Sequence, residues 1–300
     1  MTTTHSQSPH RSTATLIGFT AVLMWALLAL FTAASGKVPP FQLSAMCFAI
    51  GGCIGLTRWI TVPQARAALA RQPWKAWVLG IGGLFGYHFF YFTALRNAPA
   101  VEAGLIAYLW PLLIVLSSAM LPGEHLRWHH IAGALFGFAG AALIVTRGES
   151  LEIDPQYSLG YLAACVCALT WTGYSVLSRR FSAVPTDVVT GFCLATAALS
   201  VLCHLALEET VWPANPTEWL AIIGLGLLPV GLAFYTWDHG VKHGDIQLLG
   251  VAAYVAPLLS TLLLIAFGFA PLTWAVVAAA VLVTAGAGLA AKDNFRKKKI

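Results

Sequence analysis

The chain is 300 residues long, 58% hydrophobic and only 10% charged, with a formal net charge of +5. Soluble globular chains carry about 25% charged residues, so this composition excludes a water-facing surface of ordinary size, and no soluble domain fits within it. The positive surplus points to an anionic membrane surface rather than to nucleic acid.

A helix needs about 20 apolar residues to cross a bilayer. Residues 1–13 form a polar tail with no run resembling a cleavable signal, so the first apolar segment is expected to be retained. Candidate spans follow at 14–34, 41–60, 74–95, 99–120 and 128–146. After a linker at 148–157, five more come at 158–178, 187–207, 217–239, 245–267 and 272–291, and a basic tail occupies 292–300. The joints are short and rich in Pro, Gly or charge: SGKVPP, RNAP, LPGEHLRW, KHGD, FAPLT. The expected fold class is an all-α polytopic membrane protein with ten transmembrane helices. Cysteines 47, 53, 165, 167, 193 and 203 all lie in apolar runs, where they act as small hydrophobes. They suggest neither a disulfide framework nor a metal set, and no cofactor is expected.

The basic residues set an orientation. With the N-terminus inside, Arg11, Arg58, Arg66, Arg71, Lys75, Arg127, Arg179, Arg180, Lys242, Lys292, Arg296, Lys297, Lys298 and Lys299 fall on the inner side. Only Lys37, Arg96 and Arg147 fall outside. The positive-inside rule then places both termini in the cytoplasm. Glu149, Glu152, Asp154, Glu208, Glu209 and Glu218 lie outside in the same assignment, and the tail KDNFRKKK is expected to meet anionic headgroups.

The phrase AYLWPLL, from Ala107, returns as AYVAPLL from Ala253, 146 residues later. Trp25 falls on Trp171, Pro39 on Pro185, Cys47 on Cys193, Arg96 on Lys242 and Trp128 on Trp274 at that same offset. The chain therefore reads as two repeats, 14–147 and 158–291. Five spans is an odd number, so the second repeat enters the membrane from the opposite side. Such inverted-topology repeats are a device of carriers, whose two halves can exchange shapes around a central cavity. A transporter is the leading expectation, with a passive channel or an intramembrane enzyme as the other classes.

Pro111 and Pro257 each lack the amide hydrogen that would close the preceding turn, so both helices should bend there. Simple packing kinks would serve as well. Glu102 and Asp245 sit in first turns, where helix capping accounts for them without a coupling role. For the cavity wall, LFGYHFFYFTAL supplies Tyr87, His88 and Tyr91, the tyrosines one turn apart. His88 is the ionisable group placed deepest in a span, and such a group marks a functional candidate. It could donate to a carboxylate, carry a proton, or simply bond a neighbouring helix. Trp25, Trp110 and Trp171 lie too deep for interfacial anchoring, unlike Trp74, Trp77, Trp128, Trp219 and Trp274. Tyr108, Tyr174, Tyr254 and Trp237 complete the candidate set. No basic residue lies at depth, which disfavours phosphorylated solutes. The first span holds no carboxylate, which disfavours small hydrophobic cations. An aromatic or aliphatic amphiphile such as an amino acid suits these walls, and hydrophobic drugs or other metabolites remain as the alternative.

The ten spans, paired five-helix halves, Trp25 and Trp171 in equivalent helices, and the AYLWPLL and AYVAPLL helices resemble the EamA-type drug/metabolite transporter superfamily over nearly the whole chain. Within it the chain is most similar to exporters of aromatic amino acids of the YddG type. The resemblance implies a basket of ten helices in a bacterial inner membrane, acting as a monomer, with the fifth and tenth outside the basket. It further implies that His88, Trp110 and Trp171 face a path for Phe, Tyr, Trp or related compounds. It leaves substrate range and driving force open.

Overall fold

A computed structural model describes residues 9–69, 71–150, 153–266 and 270–292. Most of the tails expected at 1–13 and 292–300, and residues 151–152 of the linker, lie outside the described residues. The protein is an all-α membrane protein. Among the described residues, nine helices are long and apolar enough to cross a bilayer, and Trp274–Ala290 is a shorter apolar helix after them.

In chain order the first segment runs Pro9–Trp25 and resumes as Leu28–Ala34; the second is Pro40–Thr61. The third is Trp74–Asn97, and the fourth is split into Ala100–Ala107 and Trp110–Ser117. The fifth is Trp128–Thr146, the sixth Ser158–Leu177 and the seventh Val189–Leu207. The eighth is Pro216–Leu227, continued through a π turn at Leu228–Leu232 into Ala233–His243. The ninth is split into Ile246–Ala252 and Val255–Ala266, and the tenth is Trp274–Ala290. Prolines open the second and eighth segments, where a missing N–H costs nothing. Asn215 and Asp245 cap the eighth and ninth by accepting from Glu218 N and Leu248 N at 3.1 and 3.0 Å. The fifth ends on Arg147 (φ 55°) and Gly148 (φ 80°), a left-handed pair that turns the chain, with the Trp274 ring against Gly148.

The segments pack chiefly in pairs: first with eighth, third with sixth, second with seventh, and fifth with tenth, while the fourth lies mainly against the sixth and also touches the fifth and ninth. Shifted by 146 residues, the first–eighth pair becomes the sixth–third pair, and the second–seventh and fifth–tenth pairs map onto themselves. Small residues let the backbones meet, as helices packed in lipid require. A Cβ on Gly18 would stand 2.9 Å from Gly240 Cα. The residues 146 positions away from these are Ala164 and Ala94, both fully buried in an alanine cluster. Between the fifth and tenth, a Cβ on Gly133 would lie 2.6 Å from the carbonyl oxygen of Gly286.

Ion pairs mark the two ends. At one, Arg11 and Arg179 both donate to Glu124, at 3.0 and 2.7 Å, and Arg179 also donates to the carbonyls of Val241 and Gly244. This triad ties the start of the first segment to the end of the sixth through the loop after the fourth. At the other end Glu208 accepts from Arg96 at 2.7 Å and from the backbone N–H of Phe41 and Gln42 at the N-terminus of the second segment. His204 touches the same carboxylate at 3.0 Å.

Candidate functional site

The deep tryptophans converge. Trp25, Trp110, Trp171 and Trp237 come from the first, fourth, sixth and eighth segments, and all six pairs of rings are in contact, with centroids 5.0–6.4 Å apart. Most pairs are edge-to-face or tilted, the arrangements that aromatic quadrupoles favour. Trp110, Trp171 and Trp237 are buried, whereas Trp25 is half-buried. The cluster is fixed by polar tethers. Pro229 in the π turn has no N–H, and its carbonyl accepts from Trp25 Nε1 at 3.1 Å. Trp237 Nε1 donates to Ser175 Oγ at 3.1 Å.

Beside this cluster, the third segment supplies a wall. Tyr87 packs on Trp171 at 5.4 Å and stacks on Tyr91 at 6.0 Å with rings 3° apart. His88 is held edge-on by Phe48 at 4.9 Å and contacts Phe92 and Phe234. Its Nδ1 lies 2.8 Å from Leu84 O. A carbonyl can only accept, so Nδ1 carries the proton and a neutral His88 presents Nε2 as an acceptor. That excludes a neutral His88 donating to a carboxylate through Nε2. No residue from Phe85 to Thr93 is fully buried, although Tyr87 and His88 rest on rings of neighbouring segments. Tyr108 is partly exposed too, and the hydroxyls of Tyr87, Tyr91 and Tyr108 make no hydrogen bond among the described residues.

Two candidate tyrosines take a different place. Tyr174 is buried, and its hydroxyl donates to Asp238 Oδ1 at 3.2 Å. Asp238 also accepts from Thr186 at 2.9 Å and from Lys242 at 2.8 Å, and Lys242 donates further to Val184 O. The network lies just below the tryptophans, toward the triad end. Tyr254 is fully buried, and its hydroxyl reaches the backbone of the fourth segment. The helix is interrupted at Tyr108–Leu109, shortly before Pro111, and at Ala253–Tyr254, shortly before Pro257. Trp77, in the first turn of the third segment, packs edge-to-face on Phe192 at 5.5 Å.

Sequence reading passed over Phe48 and Phe234, which frame His88. Phe234 lies 146 residues from His88, so the repeat itself carried that signal. Pro229 was passed over because its counterpart is Gly83 and only paired prolines stood out. The triad joins loop and helix-end residues far apart in sequence, for which no local pattern exists.

The profile of the EamA-like transporter family matches the chain twice, over residues 12–146 and 158–291. A protein of Ancylobacter novellus named aromatic amino acid exporter YddG is 58% identical over 281 residues, covering 93% of this chain and 97% of that protein. A protein of the same name in Escherichia coli (strain K12) is 23% identical over 288 residues, 92% of this chain and 96% of the other. A crystal structure at 57% identity superposes with a TM-score of 0.86, covering 93% of this chain and 98% of its own. The chain belongs to the EamA-like transporter family.

Proposed function

We propose that the chain exports aromatic and other bulky neutral amino acids across a bacterial inner membrane by alternating access, as a monomer and without covalent chemistry or cofactor. Two repeats, 14–147 and 158–291, joined by the 148–157 linker, are inverted relative to each other and enclose one chamber. The double family match and the pairing of segments under the 146-residue shift support this arrangement. The basic bias puts the triad end and both termini in the cytoplasm.

The observation that carries the substrate assignment is the four-tryptophan cluster beside His88 and free tyrosine hydroxyls. In our reading the tryptophans form the chamber floor, and Trp25, Trp110 and Trp171 stack on an aromatic or aliphatic side chain. His88 Nε2 accepts from the substrate ammonium. The hydroxyls of Tyr87, Tyr91 and Tyr108 donate to its carboxylate. Trp237, Tyr174 and Tyr254 support these groups from behind, and the breaks before Pro111 and Pro257 bow the fourth and ninth segments around the chamber. The name of the Ancylobacter novellus relative agrees with this substrate class.

Below the floor, the Asp238–Lys242 pair and the Arg11–Glu124–Arg179 triad close the cytoplasmic exit, while the partly exposed turns of the third segment give access from the other side. Substrate released there would leave the cell. Counterflow of labelled Phe or Trp in proteoliposomes tests the proposal. Saturable flux is expected, and His88→Ala is expected to lower kcat/KM by about 10- to 100-fold, the scale of a hydrogen bond to a charged group. Wild-type protein without saturable amino acid flux would refute the substrate class, and undiminished flux in both His88→Ala and Trp110→Ala would refute the site.

A further inference from the structure

The fourth and ninth segments break at equivalent positions, yet only one break is bridged from outside. In an unbroken helix Leu112 N would donate to Tyr108 O. Here Leu112 N donates to Tyr254 Oη at 3.1 Å, and that hydroxyl reaches on to Tyr108 O at 3.4 Å. A phenol from the ninth segment has been inserted into the turn. Gly137 on the fifth segment makes room for it, since a Cβ there would collide with the Tyr254 ring.

None of this is reciprocated. The residue 146 positions after Gly137 is Val283, which is buried and packs its side chain toward Gly140. Tyr108, which corresponds to Tyr254, therefore has no recess on the tenth segment. Among the described residues, no side chain hydrogen-bonds the backbone of 253–258. A second contact follows the same pattern. Thr172 shares its hydroxyl between Ala168 O at 2.8 Å and Trp110 O at 3.3 Å, and its counterpart is Ala26, which has no hydroxyl.

We propose that Tyr254 is a positioning residue for the chamber: seated against Gly137, its hydroxyl replaces the missing turn bond of the fourth segment and fixes Tyr108 and Trp110 in one pose. Bending during transport then falls on the ninth segment, whose break has no such bridge. This rests on the chamber reading above and adds an order of stiffness to two helices that the repeat makes equivalent.

The test is Tyr254→Phe in the full-length protein, which keeps the ring and removes the bridge. The KM for labelled Phe is expected to rise about tenfold with kcat changed less than twofold. A second readout uses spin-label pairs at Val101 and Leu116, across the fourth break, and at Leu248 and Leu262, across the ninth. In wild type the 101–116 distance should be single and insensitive to Phe, while 248–262 shifts with Phe. In Tyr254→Phe, without substrate, the 101–116 distribution should broaden. An unchanged KM together with an unchanged 101–116 distribution would overturn the proposal, as would a wild-type 101–116 distance that moves as much as 248–262. If no Phe flux is seen at all, the substrate class fails. The substrate-free 101–116 comparison still decides the role of Tyr254.

Discussion

Leu28–Ala34 of the first segment contains no buried residue, whereas 174–180, its counterpart at the end of the sixth, is largely buried. No residue of Phe85–Thr93 in the third is fully buried, whereas 231–239 in the eighth buries most of its residues. The difference lies in residues that the repeat does not share. Tyr174, Ser175, Arg179, Asp238 and Lys242 hold the triad end, and the residues at the matching positions are Leu28, Ala29, Ala33, Phe92 and Arg96. At these matching positions the triad end carries buried polar contacts, and the other end has mostly apolar side chains. In the alternating-access reading proposed above, the two repeats would therefore not form equal gates.

The largest blow to that contrast is expected from Lys242→Met. It strands Asp238, 1% exposed at its side chain, without a counter-ion. The loss should be about 3–5 kcal/mol in denaturation from detergent micelles. Arg96→Met, at the matching position, should cost less, because Arg96 is itself 40% exposed and Glu208, although 3% exposed, keeps its bonds from the Phe41 and Gln42 N–H groups. Similar losses for the two would erase the distinction between the ends.

Next comes Glu124→Gln, which keeps shape and removes the charge that two arginines share. Charge-assisted bonds contribute about 1.5–3 kcal/mol each, so opening at the triad end should become at least about tenfold more frequent. The alkylation rate of a cysteine placed at the buried Ser178 measures this, and an unchanged rate would remove the triad from the gate.

The smallest effects concern the helix crossings. Gly18→Ala should cost about 1–3 kcal/mol, because the new methyl meets Gly240 Cα and a backbone cannot yield as a side chain does. The counterpart change, Ala164→Gly, should cost about 0.5–1 kcal/mol, mostly chain entropy. Equal values would mean the two crossings are equally tight.

Much of the helical layout was legible because bilayer thickness imposes one length scale on every apolar run. Pro111 and Pro257 marked the interrupted helices because a missing donor acts locally. The aromatic cluster was partly legible, since depth in a span selects residues that lipid anchoring does not explain. Depth could not say where a hydroxyl points. Tyr108 and Tyr254 have the same depth and the same flanking motif, and their difference is decided by Gly137 and Val283 on other helices. Tyr174 was likewise indistinguishable from a wall residue until Asp238 came within reach of it. Glu124 was invisible because its partners lie 113 and 55 residues away.

Four indoles in mutual contact also constitute a single coupled chromophore. Their near-ultraviolet transitions mix, so the dichroism of the protein should report the geometry of that cluster as a whole. Drawing Trp25 away from Trp171 would alter this signal, so any change in the packing of the four rings could be followed without a label.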